Sequence, residues 1–208
     1  MRIGIFGGSF NPPHKGHYKI ATNLIKNGYV DRVIFVPTGK EYPKDDLVED
    51  KHRLKMLKIM TSQDSKLDVS DFEQKAERVY TYQTLDFFQK KYPKNNIYFI
   101  CGSDNLEYFT TWKNWEYILT NYKLLVHIRR IFSYPQDLEK YKKNVIFLQR
   151  RYNVSSTVIR ELLRDKKDRK CLTRFLDPNV LKYIERKHLY ERNKVSFGRR
   201  VLTTLQSQ

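Results

Sequence analysis

Short apolar runs, each stopped by glycine, proline or a polar cluster, alternate along this chain with stretches of helical periodicity, and that alternation most constrains its fold. The runs RIGIF (2–6, stopped by Gly7 and Gly8), RVIFVP (32–37, ended by Pro37), KLDVSDFE (66–73), NIYFIC (96–101, ended by Gly102), KLLVHI (123–128) and NVIFLQ (144–149) read as strands. Between them, residues 17–29 carry a helical stripe of Ile20, Leu24 and Ile25 that Gly28 closes. Residues 52–60 place Leu54, Leu57 and Met60 on one face, and residues 81–93 form a helix that Pro93 terminates. The aromatic stretch 105–119 reads as one helix, residues 135–141 as a weak one, and residues 155–165 and 178–190 as the closing pair. Strands alternating with helices imply parallel βαβ units, hence an α/β, doubly wound parallel sheet with helices on both faces and a small C-terminal helical part.

A length of 208 residues suits one such domain. No internal repeat or linker divides the chain, so residues 1–191 are expected to form one unit and residues 192–208 a basic tail. Lysine and arginine number 40 against 23 acidic residues, a net charge of +17. That excess favours anionic partners, although solvated lysines explain it equally, so charge alone selects no function. The two cysteines, Cys101 and Cys171, make neither a disulfide framework nor a zinc motif, and Cys101 reads as a buried strand residue. With no signal-peptide pattern and no apolar run long enough to span a bilayer, the expectation is a cytoplasmic protein without a membrane partner.

In an open α/β sheet, ligands bind beyond the carboxyl ends of the strands. Four features fall there. The first is GIFGGSFNPPHKGH (4–17), which fits neither the dinucleotide fingerprint nor the P-loop. It carries His14 and His17 at a helix entry, with Gly16 between them, where free N–H groups and the helix dipole favour phosphate. No nearby Cys, Asp or Glu completes a metal-ligand set, so phosphate handling is the better reading of the pair. The second is SSTVIR (155–160), where Ser155, Ser156 and Thr157 cap a helix or hold phosphate oxygens. Val158, Ile159, Leu162 and Leu163 form its buried stripe, leaving Arg160 free to clamp phosphate. The third is Gly102 with Asp104, an acceptor for ribose or amide groups. The fourth is the region after the second strand with Tyr42, Lys44, His52 and Arg53, either a solvated loop or a contact to a second anionic substrate.

Taken together, GGSFNPPHKGH, YTYQTL (80–85), GSDNLEYFTTW (102–112), SSTVIR and the closing DPNVLKYIERKHLY resemble, in order, the H-x-G-H nucleotidyltransferases, and more narrowly the nicotinate or nicotinamide mononucleotide adenylyltransferases. The resemblance extends to about residue 191. It implies a Rossmann-like fold and a reaction in which AMP passes from ATP to a pyridine mononucleotide, giving a dinucleotide and pyrophosphate with Mg²⁺ held mainly by the ATP phosphates. It also implies roles. Gly8, Ser9 and Phe10 would line the ATP site, and His14 and His17 would contact the triphosphate. Ser156, Thr157 and Arg160 would hold its phosphates, with Arg160 and both histidines catalytic. Gly102 and Asp104 would border the adenosine. Thr84 and Trp112 would touch the pyridine nucleotide, and Lys44 with Tyr42 would meet its phosphate. The stretch KEYPKDDL (40–47) is similar to a Tyr-x-Lys arrangement of members that accept the amide, which leaves acid-versus-amide preference open. Nucleic acid is disfavoured as a partner, and nothing requires or excludes a homo-oligomer. A phosphopantetheine adenylyltransferase or a cytidylyltransferase is the nearest alternative, since such enzymes share the H-x-G-H logic.

Overall fold

The computed structural model describes residues 1–39, 47–76, 78–128, 134–148 and 154–191. Six strands, β1 (Arg2–Gly8), β2 (Arg32–Pro37), β3 (Leu67–Val69), β4 (Asn96–Gly102), β5 (Lys123–His127) and β6 (Val145–Leu148), form one sheet in the order β3-β2-β1-β4-β5-β6. Every recorded pairing is parallel. The order reverses between β1 and β4, and this switch point opens a crevice above their carboxyl ends.

Period-two alternation divides the strand residues between two cores. Phe6, Val33, Phe35, Ile100 and Leu125 pack beneath α1 (Lys15–Lys26), α2 (Asp50–Thr61) and the C-terminal helices. Ile3, Ile5, Ile34, Val36, Phe99, Cys101 and Val126 point the other way. They meet Leu85 and Phe88, and Ile118 and Leu119. The first pair lies on α4 (Thr81–Lys91), which follows the short α3 (Phe72–Lys75), and the second on α6 (Trp115–Asn121), which follows α5 (Ser103–Leu106). Burial on both faces is why the strands are almost continuously apolar. Cys101 is buried and not in a disulfide, as its apolar run implies. No helix among the described residues is long and apolar enough to cross a membrane.

Four expectations need correction. The third strand ends at Val69, because Phe72 already begins α3. The aromatic stretch 105–119 is not one helix: it breaks into α5, a 3₁₀ turn (Phe109–Thr111) and α6, with Asn114 at φ 56° in the left-handed region before α6. That break seats Phe109 in the core and turns Trp112 toward the crevice. The weak helix is a 3₁₀ segment, Gln136–Asn144. In α2 the buried face is Arg53, Met56, Leu57 and Met60, and Leu54 is only partly buried. The chain closes with α7 (Ser156–Arg164), a short α8 (Arg169–Leu172) and α9 (Pro178–Arg186), the last capped by Asp177 with proline in its first turn.

Candidate active site

A cavity of about 800 Å³ lies over the switch point. Its walls come from the β1–α1 loop, the ends of β2 and β4, the residues around α3 and α4, and the entry to α7.

At the α1 entry, His14 is the N-cap, and the two imidazoles complete a reciprocal capping box. The backbone N–H of His17 donates to His14 Nδ1 (3.4 Å), and the backbone N–H of His14 donates to His17 Nδ1 (3.2 Å). An Nδ1 that accepts carries no proton, so the neutral ring bears it on Nε2. Each histidine therefore enters the cavity wall as an Nε2–H donor. The rings stack at 3.6 Å between centroids, and His17 also lies edge-on to Phe6 and Phe10. A Cβ at Gly16 would sit 2.9 Å from the His14 ring, so glycine here makes room for the imidazole rather than for a ligand. The same holds at Gly8, where a Cβ would come within 3.2 Å of Phe10. Phe10 itself, at φ 45°, is a buried floor beneath His17.

Facing this entry is that of α7. Ser155 Oγ accepts the Val158 N–H, which caps the helix. Ser156 Oγ donates to Pro12 O (2.9 Å) and Arg160 Nη1 donates to Asn11 O (2.9 Å), so two separate segments are tied into one cavity wall. Arg160 Nε is buried without a hydrogen-bond partner among the described residues. The expected apolar stripe of α7 is shifted: Val158 is 49% exposed, and Ile159 with the partly buried Leu162 and Leu163 makes the contact. Asn11 is held from the far end of the chain, because its Oδ1 accepts from Tyr190 Oη (2.8 Å) and from the Val48 N–H (3.3 Å).

Gly8, Ser9, Phe10, His14, His17, Gly102, Asp104, Trp112, Ser156, Thr157 and Arg160 all line the cavity. Thr84 does not: it is buried, and its hydroxyl donates to Glu73 Oε1 (2.6 Å), which lines the wall in its place. Tyr42 and Lys44 lie outside the described residues, as does the tail 192–208. His52 is bonded to Tyr183, and Arg53 is fully buried, so neither is a solvated loop residue. The Arg53 guanidinium donates to Ser9 O (2.9 Å), Thr38 O (2.6 Å) and Asp50 Oδ1 (2.6 Å), pinning the ends of β1 and β2 to α2.

The motifs gave no sign of Glu73, Arg78, Lys113 or His127, and YTYQTL gave its first residue, Tyr80, no role; all five are on the wall. Burial pushes the Glu73 carboxyl up to about 7, against the opposing pull of the Thr84 hydroxyl and the Arg53 charge. In the sequence Glu73 stands as the last residue of the expected strand 66–73, which carries no signal of a site. Among the described residues, no group of three or more His, Cys, Asp or Glu side chains is arranged to hold a metal ion.

A parallel sheet with this switch point, two helix entries facing one cavity and paired imidazoles at one of them suits a nucleotidyltransferase. The chain belongs to the cytidylyltransferase-like family, whose model matches residues 5–162. Within it the chain belongs with the nicotinate-nucleotide adenylyltransferases. It is 37% identical over 198 residues to the "Probable nicotinate-nucleotide adenylyltransferase" of Endomicrobium trichonymphae, covering 91% of this chain and 99% of the relative. It is 36% identical over 195 residues to the protein of the same name from Fusobacterium nucleatum, covering 91% and 100%. In fold it matches the nicotinic acid mononucleotide adenylyltransferase of Plasmodium falciparum complexed with NaAD, with a TM-score of 0.77 at 22% identity over 91% of this chain and 97% of that one.

Proposed function

We propose that this enzyme transfers AMP from ATP to nicotinate mononucleotide, giving the dinucleotide and pyrophosphate, a step in making NAD. The observation that carries the reading is the reciprocal His14–His17 box facing the Ser155-capped entry of α7 across one cavity. It places two helix N-termini, two imidazole donors and one guanidinium around the same space, which suits a triphosphate.

The mononucleotide phosphate oxygen attacks the α-phosphorus of ATP in line. The new P–O bond forms as the bond to the β-phosphate bridge breaks, and the electron pair leaves with pyrophosphate. The nucleophile is already an anion near neutral pH, so positioning and charge stabilisation carry the rate. His14 and His17 donate to the phosphates where charge accumulates, and Arg160 steadies the departing group. Ser156 has committed its hydroxyl proton to Pro12, so what it offers a phosphate oxygen is its backbone N–H in the first turn of α7. Thr157 closes the same wall, and Gly8 and Ser9 bound the ATP from the β1 side. Gly102 and Asp104 border the adenosine, and Trp112 offers a flat face to the pyridine. Thr84 acts through Glu73. Mg²⁺ would be carried in on the triphosphate, where it supplies charge neutralisation, since the cavity's carboxylates, Glu73 and Asp104, sit on separate elements.

Pyrophosphate release should be measured with ATP against nicotinate mononucleotide, nicotinamide mononucleotide and phosphopantetheine, and with CTP in place of ATP. Turnover with ATP and nicotinate mononucleotide is the expected result. Turnover confined to phosphopantetheine or to CTP would overturn the assignment.

A further inference from the structure

The cavity wall formed by the Tyr80–Thr81 entry to α4 and by Trp112 carries an unusual charge arrangement. Arg78 and Lys113 come from different βαβ units, yet both are held over the one ring of Tyr80. Arg78 Cζ lies 5.3 Å and Lys113 Nζ 4.7 Å from its centroid. All three residues line the cavity. Among the described residues, neither cation is paired with a carboxylate. Among the described residues, the carboxylate on the same wall nearest to Arg78 in sequence, Glu73, is engaged by the Thr84 hydroxyl.

Two further features point the same way. Tyr80 is the N-cap of α4, an eleven-residue helix, so the positive end of that helix dipole faces this wall. Trp112 beside it is held by Phe109 and Phe99, with ring centroids at 4.9 and 6.0 Å, and presents a rigid aromatic surface for a flat ring. Adenine is neutral, and the N-ribosylated ring of a pyridine amide is itself a pyridinium cation, so neither gains from two extra cations at its edge. A ring bearing a carboxylate gains from both.

We propose that Arg78 and Lys113, mounted on Tyr80, are the residues that make this site prefer the acid mononucleotide, nicotinate, over the amide. The proposal rests on the reading of the cavity as a pyridine-mononucleotide site. Cation–π contact fixes both side chains where a pyridine carboxylate would arrive, which lowers the ordering cost of using long, exposed side chains for recognition. The interaction is a rim one, so it acts through selectivity and responds to salt.

The test is the ratio of kcat/KM for nicotinate mononucleotide to that for nicotinamide mononucleotide, in the wild type and in Arg78→Gln, Lys113→Gln, the double variant and Arg78→Lys. Both side chains are exposed, so folding is expected to persist and is checked by thermal unfolding. The expected result is a ratio about threefold lower in each glutamine variant and about tenfold lower in the double variant, with Arg78→Lys restoring most of the loss. A ratio that stays constant overturns the proposal, and so does an equal loss for acid and amide, which would assign the two cations to the phosphate that both substrates share. A wild type inactive with both mononucleotides instead removes the functional reading itself, and that is seen before any variant is made.

Discussion

Substituting His14 with asparagine separates two jobs that one imidazole performs. Nδ1 of His14 accepts the His17 backbone N–H and so caps α1, while the ring bears its proton on Nε2 at the cavity wall. Asparagine is among the best N-caps, so His14→Asn keeps the cap and loses the Nε2–H donor. His14→Ala loses both. Removing a cap costs about 1 kcal/mol, which for a domain of this size lowers the Tm by about 2–4 °C. The lost donor acts where transition-state charge develops, and such groups are worth about 10²–10³ in kcat. The ring lies on the cavity wall, so shortening it widens the cavity instead of leaving a sealed void. The expected pattern is a kcat lowered at least about a hundredfold in both variants by pyrophosphate release at saturating substrates, with a clear fall in Tm only in His14→Ala. A His14→Asn enzyme within threefold of the wild-type kcat would refute the assignment of that proton to catalysis. Equal Tm losses in the two variants would refute the cap.

Arg53→Met removes a guanidinium that is fully buried and leaves Ser9 O, Thr38 O and Asp50 without its donors. Breaking a buried charge pair this way costs about 3–5 kcal/mol, so a large drop in Tm is expected together with a raised KM for ATP, and a Tm within a degree or two of wild type would contradict the pinning role. Burial raises the Glu73 carboxyl to about 7 from its ordinary 4.5, so between those values the folded state binds more protons than the unfolded state. Its contribution to stability is therefore complete below about 4.5 and is lost as pH rises through about 7. Glu73→Gln, which keeps an acceptor for Thr84, should gain in Tm relative to wild type between pH 5.5 and 8, and a difference that stays flat across that range would count against the burial.

Local signals were legible because they close within a turn or a strand. The three-residue spacing of His14 and His17 is a capping-box spacing, so its meaning survives without the rest of the chain. The strand runs and the cap at Ser155 are legible for the same reason. The helix through 105–119 failed because its apolar residues satisfy a helical period, while the tertiary demand to bury Phe109 and present Trp112 needs a left-handed break at Asn114.

By itself, then, the sequence determined the alternating α/β plan, the helix entries and which histidine and serine side chains stand at them, all of which depend on neighbours along the chain. Only the tertiary structure decided that Arg53 is buried, that Thr84 stands behind Glu73, that Ser156 and Arg160 tie onto Pro12 and Asn11, and that Arg78 and Lys113 share one tyrosine. Thr84 and Glu73 meet across two helices of one connection. The ties of Arg53 to Ser9, of Ser156 and Arg160 to the β1–α1 loop and of Lys113 to the Tyr80 ring that Arg78 shares join segments far apart in the chain that meet because a parallel sheet brings the carboxyl ends of its strands to one edge. No local periodicity encodes which of their side chains will face each other there.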